Sequence, residues 1–423
     1  IEKILENSNV RIALEKVITN KGAAGIDGMK VEELRAYMNE NWSSIKQSIL
    51  ERSYKPAPVR KVEIPKPNGG VRKLGIPTVV DRTVQQSIVQ ILTPIFEAEF
   101  QENSYGFRPG RSCEQAVLKL LEYLNEGYEW IVDIDLEKFF DNVPQDKLMS
   151  YVGRVIRDPD TESLIRRYLK SGVMENGIYE ATELGTPQGG NLSPLLSNVM
   201  LNELDKELVK RGLRYVRYAD DCIIAVGSSA SANRVMHTIT KWIEQKLGLK
   251  VNATKTHVCR PNKLKYLGFG FYKSTQTRQW SARPHESSVE KFQRKLKSLC
   301  KRSWSISLTD RIAMLNSVIR GWINYFSIGA MKSRIEKIDA HLRTMLRKVI
   351  WKQWKTPQKR AWGLRKLGVD NDLAKLTSYC GNRYEWVVRK TCVAWAISKE
   401  ILTRRGLVSC LDYYTIRHSL KTN

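Results

Sequence analysis

The sequence predicts an α+β fold in which an antiparallel sheet precedes a helical, strongly basic last third. The first observation is a hairpin: apolar and β-branched runs at 213–217 and 222–226 flank a short acidic turn. The second is residues 130–136, where apolar residues alternate with Asp133 and Asp135, so that a strand presents both carboxylates on one face. The third is the helical spacing of apolar residues after 283, opposite faces rich in Lys and Arg.

The charge of the chain predicts a polyanionic partner. Lys and Arg number 70 against 44 Asp and Glu, which gives a net charge of +26 and a pI near 9.7. Residues 283–423 alone hold 30 basic and 10 acidic residues. Such asymmetry indicates nucleic acid, held mainly by the last third.

Other classes of protein are disfavoured by composition. No apolar run approaches the length of a membrane span, so no membrane partner is expected. The seven cysteines form no C-x-x-C pair, which argues against a zinc ribbon or a disulfide framework and for a reducing, cytoplasmic compartment.

The acidic turn predicts a metal site. Asp220 and Asp221 are adjacent and repel each other unless a cation lies against them. A strand that brings Asp135 beside this hairpin would complete a cage for two divalent cations, and Mg²⁺ prefers such oxygen ligands. Two such ions serve nucleotidyl transfer.

Several blocks carry a family resemblance. The run Tyr218-Ala219-Asp220-Asp221 resembles the Tyr-x-Asp-Asp signature of reverse transcriptases, and 135–141 resembles their first catalytic block. The segments 104–112, 185–194 and 320–325 are similar to blocks of group II intron proteins. The chain is therefore identified as a member of the group II intron-encoded reverse transcriptases and maturases, of the bacterial, endonuclease-lacking type.

The resemblance implies a right-hand polymerase fold with fingers, a palm built on an antiparallel sheet, a helical thumb and a small C-terminal DNA-binding domain. The expected limits are 1–104 for the N-terminal extension and fingers, 105–282 for the palm with part of the fingers, 283–356 for the thumb or maturase domain, and 357–423 for the DNA-binding domain. We expect the tryptophans of this last section, Trp362, Trp386 and Trp395, to lie in its core rather than to stack on bases.

The resemblance also implies roles for individual residues. Two Mg²⁺ ions, with Mn²⁺ as a substitute, would be held by Asp135, Leu136, Asp220 and Asp221, although direct ligation by Asp221 is left open. Lys255 joins the three aspartates as a catalytic residue that protonates pyrophosphate, with an ordinary surface lysine as the alternative. The remaining residues are expected to bind the nucleotide (Lys66, Arg72, Phe140, Gln188), to grip the primer (Tyr266, Leu267, Gly268), or to bind template and RNA (Gly25, Arg108, Arg111).

Some of these roles have structural alternatives. Phe140 would exclude the 2′-OH of a ribonucleotide, or it is a core aromatic. Arg108 and Arg111 would face template phosphates, or they form structural ion pairs.

The predicted function is RNA-directed DNA synthesis from a primer with dNTPs, together with maturase binding of the cognate group II intron RNA that promotes splicing and retrohoming. The implied partners are that intron RNA, an RNA template with a DNA primer, target DNA and dNTPs in a bacterial, nucleoid-associated setting, while a homodimer is left open. The chain ends without a Cys- and His-rich endonuclease module, so we do not expect it to nick its target. The alternatives are an RNA-binding splicing factor without polymerase activity and another bacterial reverse transcriptase of the diversity-generating or retron-like kind.

Overall fold

The computed structural model describes residues 1–65, 69–175, 178–186 and 189–422. The chain forms two compact units, Ile1–Arg260 and Pro261–Asn423. The boundary precedes residue 283, where the thumb was expected to begin. The three strands between residues 265 and 284 therefore belong to the second unit. The four-part division by function stays a prediction.

The helices of the first unit are α1 (Asn7–Thr19), α2 (Val31–Leu50), α3 (Val79–Glu97), α4 (Cys113–Asn125), α5 (Phe139–Asn142), α6 (Gln145–Ile156), α7 (Pro159–Leu169), α8 (Ser193–Lys210) and α9 (Ser229–Trp242). A π-helical turn at Ile243–Leu247 continues α9. Local signals explain several ends. Ser112 and Gln115 form a reciprocal capping box at the start of α4, and Ser228 caps α9.

One sheet of this unit contains the strand that carries Arg72. Its strands are β1 (Val59–Pro65), β2 (Val71–Ile76), β4 (Val173–Glu175) and β5 (Ile178–Glu180), in the order β2-β1-β4-β5. β1 and β2 pair antiparallel from Arg60 opposite Ile76 to Pro65 opposite Val71.

The central sheet has the order β6-β7-β3-β8, and its neighbouring strands are antiparallel. The strands are β3 (Trp130–Ile134), β6 (Arg214–Tyr218), β7 (Asp221–Val226) and β8 (His257–Cys259). Helix α9 packs on β3, β7 and β8, while α4 and α8 pack on β6. Apolar side chains of this sheet and these helices, such as Val132, Ile224, Val199 and Ile239, form the main core. Close packing against these helices thus makes the sheet a rigid support for the acidic residues at its end.

The second unit begins with the sheet β11-β10-β9, whose strands are β9 (Lys265–Tyr266), β10 (Phe269–Lys273) and β11 (Trp280–Pro284). Helices follow: α10 (Glu286–Leu299), α11 (Leu308–Phe326), α12 (Lys332–Gln353), α13 (Pro357–Lys366), α14 (Asn371–Ser378), α15 (Tyr384–Lys390), α16 (Val393–Ala396), α17 (Lys399–Arg404) and α18 (Cys410–Thr422). The apolar stripes predicted for α10, α11 and α12 are buried, as Phe292, Ile319 and Leu342 illustrate. Among the described residues, no helix is long and apolar enough to cross a membrane.

Candidate active site

The acidic turn is a two-residue hairpin loop, as the sequence predicted. Tyr218 pairs with Asp221 as the last rung between β6 and β7, so Ala219 and Asp220 form the loop. Ala219 has φ of +56°, the left-handed conformation that such tight hairpin loops require. Asp220 is half-buried, and Asp221 is exposed at the start of β7.

Strand β3 brings the upstream aspartates to the same end of the sheet. β3 pairs with β7 up to Ile134 opposite Cys222, and one further step of this register sets Asp135 level with Asp221. Asp133 lies two residues back on the same strand and pairs with His257 of β8. The carboxylates predicted to act together therefore come from neighbouring central strands.

The segment 251–256, between the π-helical turn and β8, fixes Asp135. Its backbone N–H donates to Thr256 Oγ1 at 3.1 Å, and its carbonyl accepts from the Asn252 N–H at 2.8 Å. Leu136 forms an antiparallel bridge with Val251. The same segment places Lys255 Nζ 3.4 Å from Asp135 Oδ2, with the lysine side chain largely exposed. The predicted catalytic lysine thus lies at the predicted metal ligand.

The charges at this end of the sheet are coupled. Desolvation of the carboxyl by the surrounding protein, followed by repulsion from Asp220, Asp133 and Asp135, raises the pKa of Asp221 to about 7, while Lys255 lowers it. Burial and then Asp135 raise the pKa of Asp133 to about 6, against the attraction of His257. Burial also raises the pKa of Asp220, to which Asp135 contributes. Negative charge is therefore concentrated at this end of the sheet. Among the described residues, Lys255 is the one cation close enough to form an ion pair with Asp135.

The donor chemistry of this cluster suits a divalent cation. Carboxylate oxygens are the ligands that Mg²⁺ prefers, and a cation would relieve the repulsion that adds to desolvation in raising these pKa values. In the part of the chain that the structure describes, however, no group of three or more His, Cys, Asp or Glu side chains is already arranged to hold a metal ion. Metal ligation by Asp135, Leu136, Asp220 and Asp221 accordingly stays a prediction.

The predicted nucleotide-binding residues are described in part. Arg72 is exposed on β2 and close enough to Asp220 to lower the pKa of that carboxyl. Phe140 is half-buried and lines a cavity of about 290 Å³ together with Lys73, Gly75 and Thr186, whose N–H donates to the Phe140 carbonyl. Lys66 and Gln188 lie outside the described residues.

The structure corrects the expectation for Arg108. Its side chain is buried and donates to both carboxylate oxygens of Glu97 and to the carbonyls of Gln101 and Ser104. These partners occupy donors on all three nitrogens of the guanidinium. Arg108 therefore forms a structural ion pair, the alternative to a contact with template phosphates. Arg111 is half-exposed over the Tyr105 ring, and its template role stays a prediction.

Gly25 has a packing role. It is buried, and a Cβ at this position would lie 2.6 Å from the Thr78 Cα. That contact explains why a glycine is needed there, whether or not the surrounding loop touches RNA.

The predicted primer grip is a tight turn of the second unit. Leu267 and Gly268 have φ of +48° and +82°, and Tyr266 is buried. The Leu267 carbonyl accepts from the Tyr325 hydroxyl at 2.9 Å, and the Gly268 carbonyl accepts from Ser288 at 2.9 Å. The turn is thus fixed by α10 and α11, while its contact with a primer stays a prediction.

The expectation for the C-terminal tryptophans was wrong. Trp362, Trp386 and Trp395 are 57%, 51% and 55% exposed rather than in the core. Trp386 lines a pocket with Arg302, Lys348, Arg383 and Tyr384, and exposed aromatic rings beside cations suit stacking on nucleic-acid bases.

Sequence reasoning missed a buried ion pair beneath the acidic turn. Arg217, directly before Tyr218, and Asp205 of α8 are both fully buried and lie 2.5 Å apart. The signal was present: an arginine that follows Tyr215 and Val216 in β6, and an aspartate between Leu204 and Leu208 on a helix that is buried on several sides.

Comparison with known proteins gives two family matches. Residues 64–271 match the model described as reverse transcriptase (RNA-dependent DNA polymerase), and residues 289–368 match the group II intron maturase-specific domain. Protein YkfC of Escherichia coli is 33% identical over 285 residues, which cover 58% of this chain and 75% of that protein.

Two intron-encoded proteins match over a smaller share of their own length. The group II intron-encoded protein LtrA of Lactococcus lactis is 38% identical over 213 residues, 50% of this chain and 35% of LtrA. A putative COX1/OXI3 intron 2 protein of Saccharomyces cerevisiae is 26% identical over 336 residues, 65% of this chain and 38% of that protein. The chain therefore spans a little over a third of the length of these two relatives.

Proposed function

The chain belongs to the group II intron-encoded reverse transcriptases and maturases, and on that premise we propose that it copies RNA into DNA from a primer and also binds group II intron RNA. The reverse transcriptase match confirms the predicted α+β fold of the right-hand polymerase type. The observation that carries the polymerase proposal is the coupled charge of Asp135, Asp220 and Asp221 at one end of the central sheet.

In this proposal Asp135, Asp220, Asp221 and the backbone at Leu136 hold divalent ions, with Mg²⁺ as the expected species. When bound, such ions activate the attacking 3′ oxygen of the primer and stabilise the leaving oxygen. Lys255 is within reach of Asp135 and is positioned to protonate the departing pyrophosphate or to balance the carboxylates before ions enter.

The other residues would bind and orient substrates. Arg72 and Lys66 would neutralise triphosphate oxygens, and their bonds would strengthen as charge builds on the leaving group. Phe140 would pack under the sugar, where a 2′-OH would collide with the ring. Gln188 would contact the nascent base pair, and the turn at 266–268 would orient the primer end.

The maturase role is a binding function and requires no carboxylate. The support for it is the maturase-specific match and the excess of basic residues after 283. We propose that these basic helices hold the intron RNA by its phosphates and that the exposed tryptophans serve target DNA. A nucleoid-associated, cytoplasmic location follows from these partners.

Primer extension on an RNA template with dNTPs and Mg²⁺ tests the polymerase. Asp135→Asn and Asp220→Asn should each lower the extension rate at least about 1000-fold, because several kcal/mol of metal-borne stabilisation are lost. Asp146→Asn is the matched control, since Asp146 is an exposed aspartate of the same unit that forms an ion pair with Arg166.

Intron RNA binding is measured on the same proteins and should be unchanged in all three variants. If the wild-type protein binds intron RNA tightly but extends no primer, the polymerase proposal is rejected. The alternative, an RNA-binding splicing factor without polymerase activity, then remains. Extension by Asp220→Asn at the wild-type rate would reject the assigned site.

A further inference from the structure

The buried arginine below the acidic turn satisfies all of its hydrogen-bonding capacity. A guanidinium carries five N–H donors, and in Arg217 each has a protein partner. Nε donates to Asp205, Nη1 donates to Asn198 Oδ1 at 3.0 Å and to the Ala219 carbonyl at 2.8 Å, and Nη2 donates to Ser104 Oγ at 2.7 Å and to Asp205. Both Arg217 and Asp205 have side chains with no solvent exposure.

These partners come from three separate parts of the first unit. Asp205 and Asn198 lie on α8, Ser104 lies on the segment before α4, and Ala219 is the first residue of the hairpin loop. The backbone of Arg217 also pairs with this segment, because its N–H donates to the Asn103 carbonyl and its carbonyl accepts from Tyr105. Asn198 closes the network by donating to the Gly106 carbonyl at 2.8 Å.

The bond to the Ala219 carbonyl matters most for the site. Ala219 has a left-handed backbone, which costs a non-glycine residue free energy and persists only when surrounding groups hold it. Arg217 holds the carbonyl of this residue, and the next residue along the chain is Asp220. The orientation of the Ala219–Asp220 peptide therefore depends on a guanidinium that is itself anchored by Asp205.

We propose that Arg217 is a positioning residue, which fixes the left-handed turn at Ala219 and thereby aims Asp220 and Asp221 before any ion or substrate binds. The inference rests on the proposed polymerase function for its catalytic consequence. A structural ion pair alone would need only Asp205, whereas the observed fork also engages the turn, the 103–106 segment and Asn198. Lysine cannot reproduce this, because an ammonium has three donors and lacks the planar fork.

The test separates positioning from folding by two variants. Arg217→Lys keeps the charge and removes the fork. The double variant Arg217→Met with Asp205→Leu removes both buried charges, a replacement that often preserves or increases stability. A matched control is Arg311→Lys in the second unit, where a buried arginine also donates to two backbone carbonyls, those of Leu299 and Trp304.

The first readout needs no polymerase activity. Hydrogen exchange measured by mass spectrometry on peptides covering 214–226 should show faster exchange in both Arg217 variants than in the wild type. Melting temperatures are measured alongside, so that local loosening is distinguished from global destabilisation. Arg311→Lys should leave exchange in 214–226 unchanged.

The second readout is primer extension. The double variant should fall about 100-fold in kcat, as expected for a misplacement near 1 Å, and should need more Mg²⁺ for half-maximal rate, with unchanged primer-template affinity. The inference is overturned if the double variant folds and matches the wild type in hydrogen exchange, in kcat and in Mg²⁺ dependence. If the wild type itself extends no primer, the proposed function fails, while the exchange result still decides whether Arg217 fixes the turn.

Discussion

A methyl group added at Gly106 should displace the acidic turn. An ideal Cβ at Gly106 lies 2.2 Å from the Ala219 backbone nitrogen, 2.9 Å from its Cα and 3.0 Å from the Tyr218 carbonyl carbon. Ordinary contacts begin near 3.4 Å, so the 103–106 segment and the turn must separate by roughly 1 Å to admit the group. Both sides of this contact are backbone, and neither can move aside by changing a rotamer.

Two consequences follow from that displacement. Overpacking of this kind costs about 1–3 kcal/mol, so Gly106→Ala should lower the free energy of unfolding by that amount in urea titrations. A shift of about 1 Å at Asp220 should lower the single-turnover rate of primer extension about 100-fold, with little change in primer-template affinity.

Gly227→Ala is the matched control for this change. Gly227 directly follows β7, its Cβ would meet no atom within 4 Å, and its backbone lies outside the left-handed region. This variant should stay close to the wild type in both measurements. Wild-type stability and extension rate in Gly106→Ala would refute the reasoning, because they would mean that the close approach of the two backbones is not required.

Three further predictions concern the nucleotide, the metal and the C-terminal section. Phe140→Val should raise the ratio of ribonucleotide to deoxynucleotide incorporation, measured as kcat/KM for each in primer extension, since the ring that would meet the 2′-OH is shortened; an unchanged ratio removes the assignment. Because the pKa of Asp221 is near 7 in the folded protein and ordinarily near 3.8, its ionisation costs stability as the pH rises between these values. Saturating Mg²⁺ should therefore raise the melting temperature more at pH 8 than at pH 5, and Asp221→Asn should reduce that difference; equal shifts at both pH values would contradict the metal assignment. Trp386→Ala should weaken DNA binding about tenfold at fixed salt while leaving the melting temperature nearly unchanged, because the ring is 51% exposed; unaltered affinity would argue against stacking.

The sequence predicted those parts of the site that depend on local pattern. Period-two alternation was enough to place Asp133 on a strand and Asp135 directly after its end, and two residues between apolar runs were enough to place Asp220 in a hairpin loop. Helical stripes predicted the buried faces of α10, α11 and α12 for the same reason. In each case the spacing along the chain determines which residues share a face.

The errors arose where tertiary partners decide the outcome. Arg108 and Arg217 are both arginines near glycine or aromatic residues, and the local sequence does not show which carboxylates, Glu97 and Asp205, pair with them inside the fold. The prediction for the tryptophans was wrong in the opposite sense, because buried side chains were expected and exposed ones are found. Large aromatic residues usually lie in cores, but the short helices α13, α15 and α16 leave these three rings exposed.

The two halves of the candidate site are fixed by independent networks that exclude the carboxylates themselves. Asp135 is positioned through its backbone by Asn252 and Thr256, and the turn at Ala219 is positioned by Arg217. None of these bonds uses a carboxylate oxygen of Asp135, Asp220 or Asp221, so their lone pairs are left for Lys255 or for an incoming cation. Repulsion between the three side chains would drive them apart on a flexible scaffold. Desolvation, with repulsion from Asp220 and Asp135 added to it, raises the pKa of Asp221 to about 7, so the backbone holds these side chains close despite their like charge. A site built in this way places the cost of assembling like charges on folding rather than on each catalytic cycle.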